Sequence, residues 1–163
     1  WSEYSDLSVE MYLHMALGQS AYVTSDPEEA DLFYIPVYPT AVISDRVHIL
    51  KWRNAAVLLV LDALDFVQSN YPFWSRSQGR DHILTASHDH GPCFDISVER
   101  ALKSTLVQQL LRRIEFTVII GIDGDVSTKC FNASKDIVVP PMLTSYKLLK
   151  AMPILNVSNI HRI

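Results

Sequence analysis

Four short apolar runs set the strongest limit on what this chain can fold into. They are Leu32-Phe33-Tyr34-Ile35-Pro36-Val37, His82-Ile83-Leu84-Thr85-Ala86-Ser87, Phe116-Thr117-Val118-Ile119-Ile120-Gly121 and Asp136-Ile137-Val138-Val139. Each is too short for a typical helix and lacks the alternation of a strand with one wet face, so each reads as a buried strand. Helical patterns lie between them. Strands alternating with helices, all buried, predict an α/β class with a Rossmann-like parallel sheet and helices on both faces. Its crossovers are expected to be right-handed.

The helical segments are legible from spacing. Val9, Met11, Tyr12, Met15 and Leu17 predict a helix over residues 7–19, with Gly18 as terminator. Ser25-Asp26-Pro27-Glu28-Glu29-Ala30 predicts a cap followed by one helical turn, since Pro27 suits a first helical position. Residues 46–69 give the longest helix. Lys51, Asn54, Asp62, Asp65 and Ser69 form one narrow polar stripe, so the other faces are expected to be buried. Val98, Leu102, Leu106 and Leu110 recur every four residues and predict one helix over residues 97–113.

Composition removes several functions. The 163 residues are 48% apolar and carry a net charge of −4, with no run of Lys or Arg. A concentrated basic face is what nucleic acid and anionic membranes require, so neither is an expected partner of this segment. The length suits one domain with a real core. No stretch reaches the length of a membrane span; the run from Ala55 to Leu61 is followed by Asp62 and Asp65. The chain opens on Trp1 without a signal-like segment and stops at Ile163 soon after a strand-like segment, so it is expected to be a fragment at both ends. Two sequons, Asn132-Ala133-Ser134 and Asn156-Val157-Ser158, are candidate glycosylation sites. Two cysteines, Cys93 and Cys130, allow one disulfide or two buried thiols.

In an open parallel sheet, ligands gather beyond the carboxyl ends of the strands. The loop after the second strand carries His88-Asp89-His90-Gly91-Pro92, the densest cluster of titratable groups in the chain. A carboxylate between two imidazoles suits a general base taking a proton from a hydroxyl near neutral pH. Asp89 and His88 are therefore the candidate catalytic residues; an alternative reading has Asp89 as a cap and the histidines bonded to backbone. His88 and His90 would need a third ligand to hold zinc, and Asp81 or His82 would serve only if the chain folds back, so no metal is expected. Arg80 and Asp81 can pair with each other, with the His loop, or as a surface salt bridge. The aromatic turn Tyr71-Pro72-Phe73-Trp74 suits either sugar stacking or core anchoring. Arg80, Asp81, His90 and Trp74 make up the candidate substrate-binding set. Gly121-Ile122-Asp123-Gly124 follows a strand but lacks the form of a dinucleotide-binding loop.

Taken in order, five segments resemble the exostosin family of glycosyltransferases (glycosyltransferase family 47), in its plant and algal branch. They are Thr24-Ser25-Asp26-Pro27-Glu28-Glu29-Ala30-Asp31-Leu32-Phe33-Tyr34-Ile35-Pro36, Pro72-Phe73-Trp74, Gly79-Arg80-Asp81-His82-Ile83-Leu84, Ser87-His88-Asp89-His90-Gly91, and Cys130-Phe131-Asn132-Ala133-Ser134-Lys135-Asp136-Ile137-Val138-Val139-Pro140-Pro141. The family often has Trp where His90 stands. The resemblance implies the N-terminal, acceptor-side half of a GT-B fold over residues 1–163. It implies inverting transfer from a nucleotide sugar to a polysaccharide or glycoprotein glycan, in the Golgi or endoplasmic reticulum, by an enzyme anchored by an upstream membrane helix. The partners are then a glycan acceptor and a C-terminal Rossmann-like half that binds most of the nucleotide-sugar donor, with no cofactor in this segment. The competing expectation is a secreted or cell-surface module that keeps the fold and binds glycans without catalysis. Cys93 and Cys130 both lie just beyond strand-like segments, which predicts that they meet at one sheet edge as a disulfide.

Overall fold

The computed structural model describes residues 7–43, 49–95 and 97–140. Its centre is a four-stranded sheet in the order β1-β2-β3-β4. The strands are β1 (Phe33–Tyr34), β2 (His82–Thr85), β3 (Val118–Gly121) and β4 (Ile137–Val138). All pairings are parallel, with Phe33 opposite His82, Leu84 opposite Ile119 and Gly121 opposite Val138. Strand order follows chain order, so every crossover steps the same way across the sheet.

Among the described residues six helices accompany it: α1 (Leu7–Gly18), α2 (Pro39–Ile43), α3 (Ile49–Asn70), α4 (Phe73–Ser77), α5 (Val98–Leu102) and α6 (Thr105–Arg113). Side chains alternate across a strand, and here the alternation sorts the layers. Leu84 and Ile119 point to the face that holds Val60 of α3 and Leu110 of α6, together with Ile114. Tyr34 and Thr85 point to the other face and share a hydrogen bond of 3.2 Å, while the Tyr34 hydroxyl donates to the Glu10 carbonyl of α1 at 3.4 Å. Helices therefore flank both faces.

Three local expectations change. Residues 24–29 form a turn rather than a helical turn. The Asp26 N–H donates to Thr24 Oγ1 at 3.1 Å and the Glu28 N–H to Asp26 Oδ1 at 2.9 Å, so short polar side chains compete with helical bonding. The long helix is buried along one face only: Ala56, Val57, Val60, Leu61 and Leu64 are in the core, while Leu58, Leu59 and Phe66 are exposed. The predicted helix over 97–113 is two helices. The hydroxyls of Ser97 and Ser104 accept from the N–H groups of Arg100 and Val107, and the extended backbone at Ser104 interrupts the helix before the second cap restarts it. The strand-like segment near Ile163 lies outside the described residues.

Candidate functional site at the carboxyl edge of the sheet

β2 ends at Thr85, and the chain runs through Ala86 and Ser87 into the His88 loop. The loop closes tightly: the Gly91 N–H donates to the His88 carbonyl at 2.7 Å. A 3₁₀ turn, Gly91–Cys93, then carries the chain on. Gly91 has φ +49, a left-handed conformation that glycine takes without strain. His88 Nδ1 accepts from the His90 N–H at 3.2 Å. In that arrangement the ring proton sits on Nε2. The His88 ring stands edge-on to Phe94, 6.3 Å between centroids. Asp89 is exposed, and among the described residues its carboxylate has no partner. His90 Nδ1 is buried and likewise has no partner among the described residues. It borders a cavity of about 10 Å³, one water in size, shared with Asp123, Asp125 and Cys130. Hydrogen bonds from the Ser127 side chain and backbone hold the Asp125 carboxyl below its usual range. His88, Asp89 and His90 thus stand together at the carboxyl edge.

Cys93 and Cys130 form the expected disulfide, with Cα atoms 5.6 Å apart and a sequence separation of 37. It ties the end of the His88 loop to the β3–β4 connection. Asn132 is exposed, but its Oδ1 already accepts from the Ser134 N–H and hydroxyl at 3.0 and 2.7 Å. Asn156 lies outside the described residues.

The structure does not bring Arg80, Asp81 and Trp74 to this edge. They stand at the opposite, amino end of β2. Trp74 is buried, 4.7 Å from the His82 ring, and would touch any Cβ added to Gly79 at 2.7 Å. Asp81 accepts from the Ser77 hydroxyl, from Arg76 at 3.2 Å and from His82 Nδ1 at 2.6 Å. Burial opposes ionisation of Asp81, yet these bonds keep its carboxyl below the usual range. Arg80 lies over the Phe116 ring, 4.0 Å from its centroid.

A second polar group converges on the carboxyl edge, and sequence reasoning missed it. Glu10 of α1 is fully buried. Its Oε1 accepts from the Thr40 hydroxyl at 2.6 Å and from the Ser87 N–H at 3.1 Å, and its Oε2 from the Thr40 N–H at 3.2 Å. Burial pushes its carboxyl up to about 7, against the opposing pull of those bonds. His14, one turn further along α1, bonds through Nδ1 to the Tyr38 hydroxyl and lies 5.8 Å from the Tyr34 ring. Burial likewise raises the Tyr34 phenol. The signal available in sequence was a Glu and a His four apart in a helix of Met, Tyr and Leu, a spacing that puts both on one face. Among the described residues no three His, Cys, Asp or Glu side chains converge as metal ligands.

The Exostosin GT47 domain family matches residues 3–159. The chain belongs to the exostosin GT47 family. Its similar proteins include a "Probable glucuronosyltransferase" of Oryza sativa subsp. japonica, 33% identical over 86% of this chain and 32% of the rice protein. A "Probable glucuronoxylan glucuronosyltransferase" of Arabidopsis thaliana is 33% identical over 89% of this chain and 30% of its own length. A "Probable beta-1,4-xylosyltransferase" of Arabidopsis thaliana is 28% identical over 86% of the chain and 32% of its own. This exostosin GT47 chain therefore spans about a third of the length of these relatives. No solved structure matches it. Among its described residues no helix is long and apolar enough to cross a membrane.

Proposed function

We propose that this exostosin GT47 chain is the acceptor-side half of an inverting GT-B glycosyltransferase. In this reading a C-terminal Rossmann-like half binds the nucleotide sugar, and the sugar passes to a polysaccharide or glycoprotein glycan held at the carboxyl edge of the sheet described above. The observation that carries the reading is the exposed, unpartnered Asp89 between His88 and His90 at that edge, in a chain of this family. Asp89 is the base that takes the acceptor hydroxyl's proton while the new bond forms opposite the departing diphosphate. His88 either orients Asp89 or serves as the base itself, and His90 lines the acceptor's approach. Trp74, Arg80 and Asp81 stay outside the proposed contact set, because their bonds are spent at the far end of β2. The names of the relatives support glucuronosyl and xylosyl groups as the first donors to try. The disulfide supports a Golgi or other secretory-pathway lumen, where thiols oxidise, and Asn132 is the proposed glycan site.

The test uses the full-length protein, with nucleotide-activated glucuronic acid and xylose and a panel of oligosaccharide acceptors. Asp89→Asn is expected to lower turnover by roughly 10²- to 10⁴-fold, the usual loss of general-base help. Residues 1–163 alone are expected to transfer nothing, since donor and acceptor must be positioned together. Near-normal turnover by Asp89→Asn with loss in His88→Ala reverses the two roles. Full activity in both variants refutes the assignment of the base to this loop. Saturable glycan binding by a full-length protein that never transfers sugar supports the non-catalytic module instead.

A further inference from the structure

Among the described residues Glu10 is buried without a cation beside it, a costly arrangement for a group that can ionise. Its bonds among the described residues come from the Thr40 N–H, the Thr40 hydroxyl, the Ser87 N–H and the Ser87 side chain. Those donors come from two segments that end at the same edge, the start of α2 and the residue just before His88. We propose that Glu10 is a positioning residue for the acceptor site: held by Thr40 and Ser87, it fixes the loop that carries His88 and Asp89. The inference rests on the functional reading above and adds a residue that touches no substrate.

The ionised carboxylate accepts from all of these groups at once. Protonation adds an O–H that only a hydroxyl can accept, so a hydroxyl bond must reverse while the Thr40 and Ser87 N–H groups compete for the lone pairs that remain. Burial places that change at about pH 7. Among the described residues the titratable groups around Glu10 are His14 on its own helix, Tyr34 from β1, Tyr38 before α2, and His88 beyond Ser87. No cation among the described residues contributes to its ionisation. Thr40 supplies the strongest bond favouring the ionised form, so it is the handle for the test.

The experiment compares Glu10→Gln, Thr40→Val and Thr40→Ser in the full-length protein. Readouts are kcat and acceptor KM across pH, and hydrogen-exchange protection of amides 87–94 across the same range. Glu10→Gln is expected to lower kcat by about 10-fold or more with acceptor KM nearly unchanged, as misplacement of a catalytic loop does. It should also lower protection at Ser87 and remove its pH dependence. Thr40→Val should move the acid limb of kcat upward by roughly half to one pH unit, the worth of one hydrogen bond, while Thr40→Ser restores it. Thr40→Val and Thr40→Ser decide the matter if Glu10→Gln does not fold. An acid limb unmoved by Thr40→Val, with wild-type protection at Ser87, overturns the proposal. If the wild-type protein transfers no sugar, the functional reading fails separately. Protection at Ser87 that changes near neutral pH, through Thr40, still supports Glu10 as the loop's anchor, and pH-independent protection overturns it.

Discussion

Glu10 and Asp95 are both buried carboxylates, and their surroundings could hardly differ more. Asp95 follows the 3₁₀ turn and lies between two guanidiniums. It pairs with Arg53 of α3 and with Arg100 of α5, whose Nε donates at 3.1 Å, and accepts from the Ser97 N–H at 3.2 Å. Burial works against its ionisation, but these partners hold its carboxyl down at about 2. Among the described residues Glu10 has neutral donors only, and burial lifts it to about 7. Asp95 is therefore a fixed ion that fastens α3 to α5 at all ordinary pH values. Glu10 changes state in the range where cells operate. A buried acid with cations is a fastener; a buried acid with only neutral donors is poised to respond.

The widest break in this comparison is the disulfide, because Cys93 lies between Ser87, which Glu10 holds, and Asp95. Cys93→Ser with Cys130→Ser should cost about 4 kcal/mol, the chain-entropy value for a loop of 37 residues. Denaturant unfolding measures it, and a loss below about 1 kcal/mol means the two carboxylates hold the segment without the bond. Asp95→Ala comes next. It leaves Arg53 largely buried without its anion, and about 3 kcal/mol is expected. That is the low end for broken buried pairs, because Arg100 can turn to water.

Titration sharpens the contrast, since the two groups move stability in opposite directions. Asp95 is depressed from 3.8 to about 2, so its contribution is present above about pH 4 and lost as pH falls through about 2. It amounts to roughly 2 kcal/mol. Glu10 is raised from 4.5 to about 7, so its contribution is fully present below about 4.5 and lost as pH rises through about 7. The loss is roughly 3 kcal/mol. Unfolding free energies of wild type and Glu10→Gln, compared from pH 4.5 to 8, should therefore diverge against wild type as pH rises. The wild-type advantage over Asp95→Asn should shrink as pH falls from 5 to 2. A Glu10 difference flat across neutral pH would place its ionisation elsewhere. The smallest effect is the control. Glu99 and Lys103 form an exposed pair one turn apart at 2.7 Å, and Glu99→Gln should leave the unfolding midpoint unchanged within error.

Much of the fold was legible because burial on both faces leaves a continuous apolar run, and four such runs became four parallel strands. The His88 loop was legible because a parallel sheet has one ligand-binding edge and only one loop at that edge was rich in acid and imidazole. Arg80, Asp81 and Trp74 show the limit. They are close to the loop in sequence, but a strand of four residues carries its two ends about 10 Å apart. Glu10 falls inside the helix that Val9, Met11, Tyr12, Met15 and Leu17 predict, and nothing local marks it, since its partners Thr40 and Ser87 lie 30 and 77 residues away.

The sequence by itself determined the α/β class, the alternation of strands with helices, and which residue types stand together in the His88 loop. Those follow from local periodicity and from which residue types stand next to one another. Only the tertiary structure decided which acids are paired, which end of β2 each polar group serves, and that Cys93 reaches Cys130. These depend on contacts between residues far apart in the chain. A carboxylate's charge state is set by the water it loses and the donors it meets, and both are fixed only when the chain has packed.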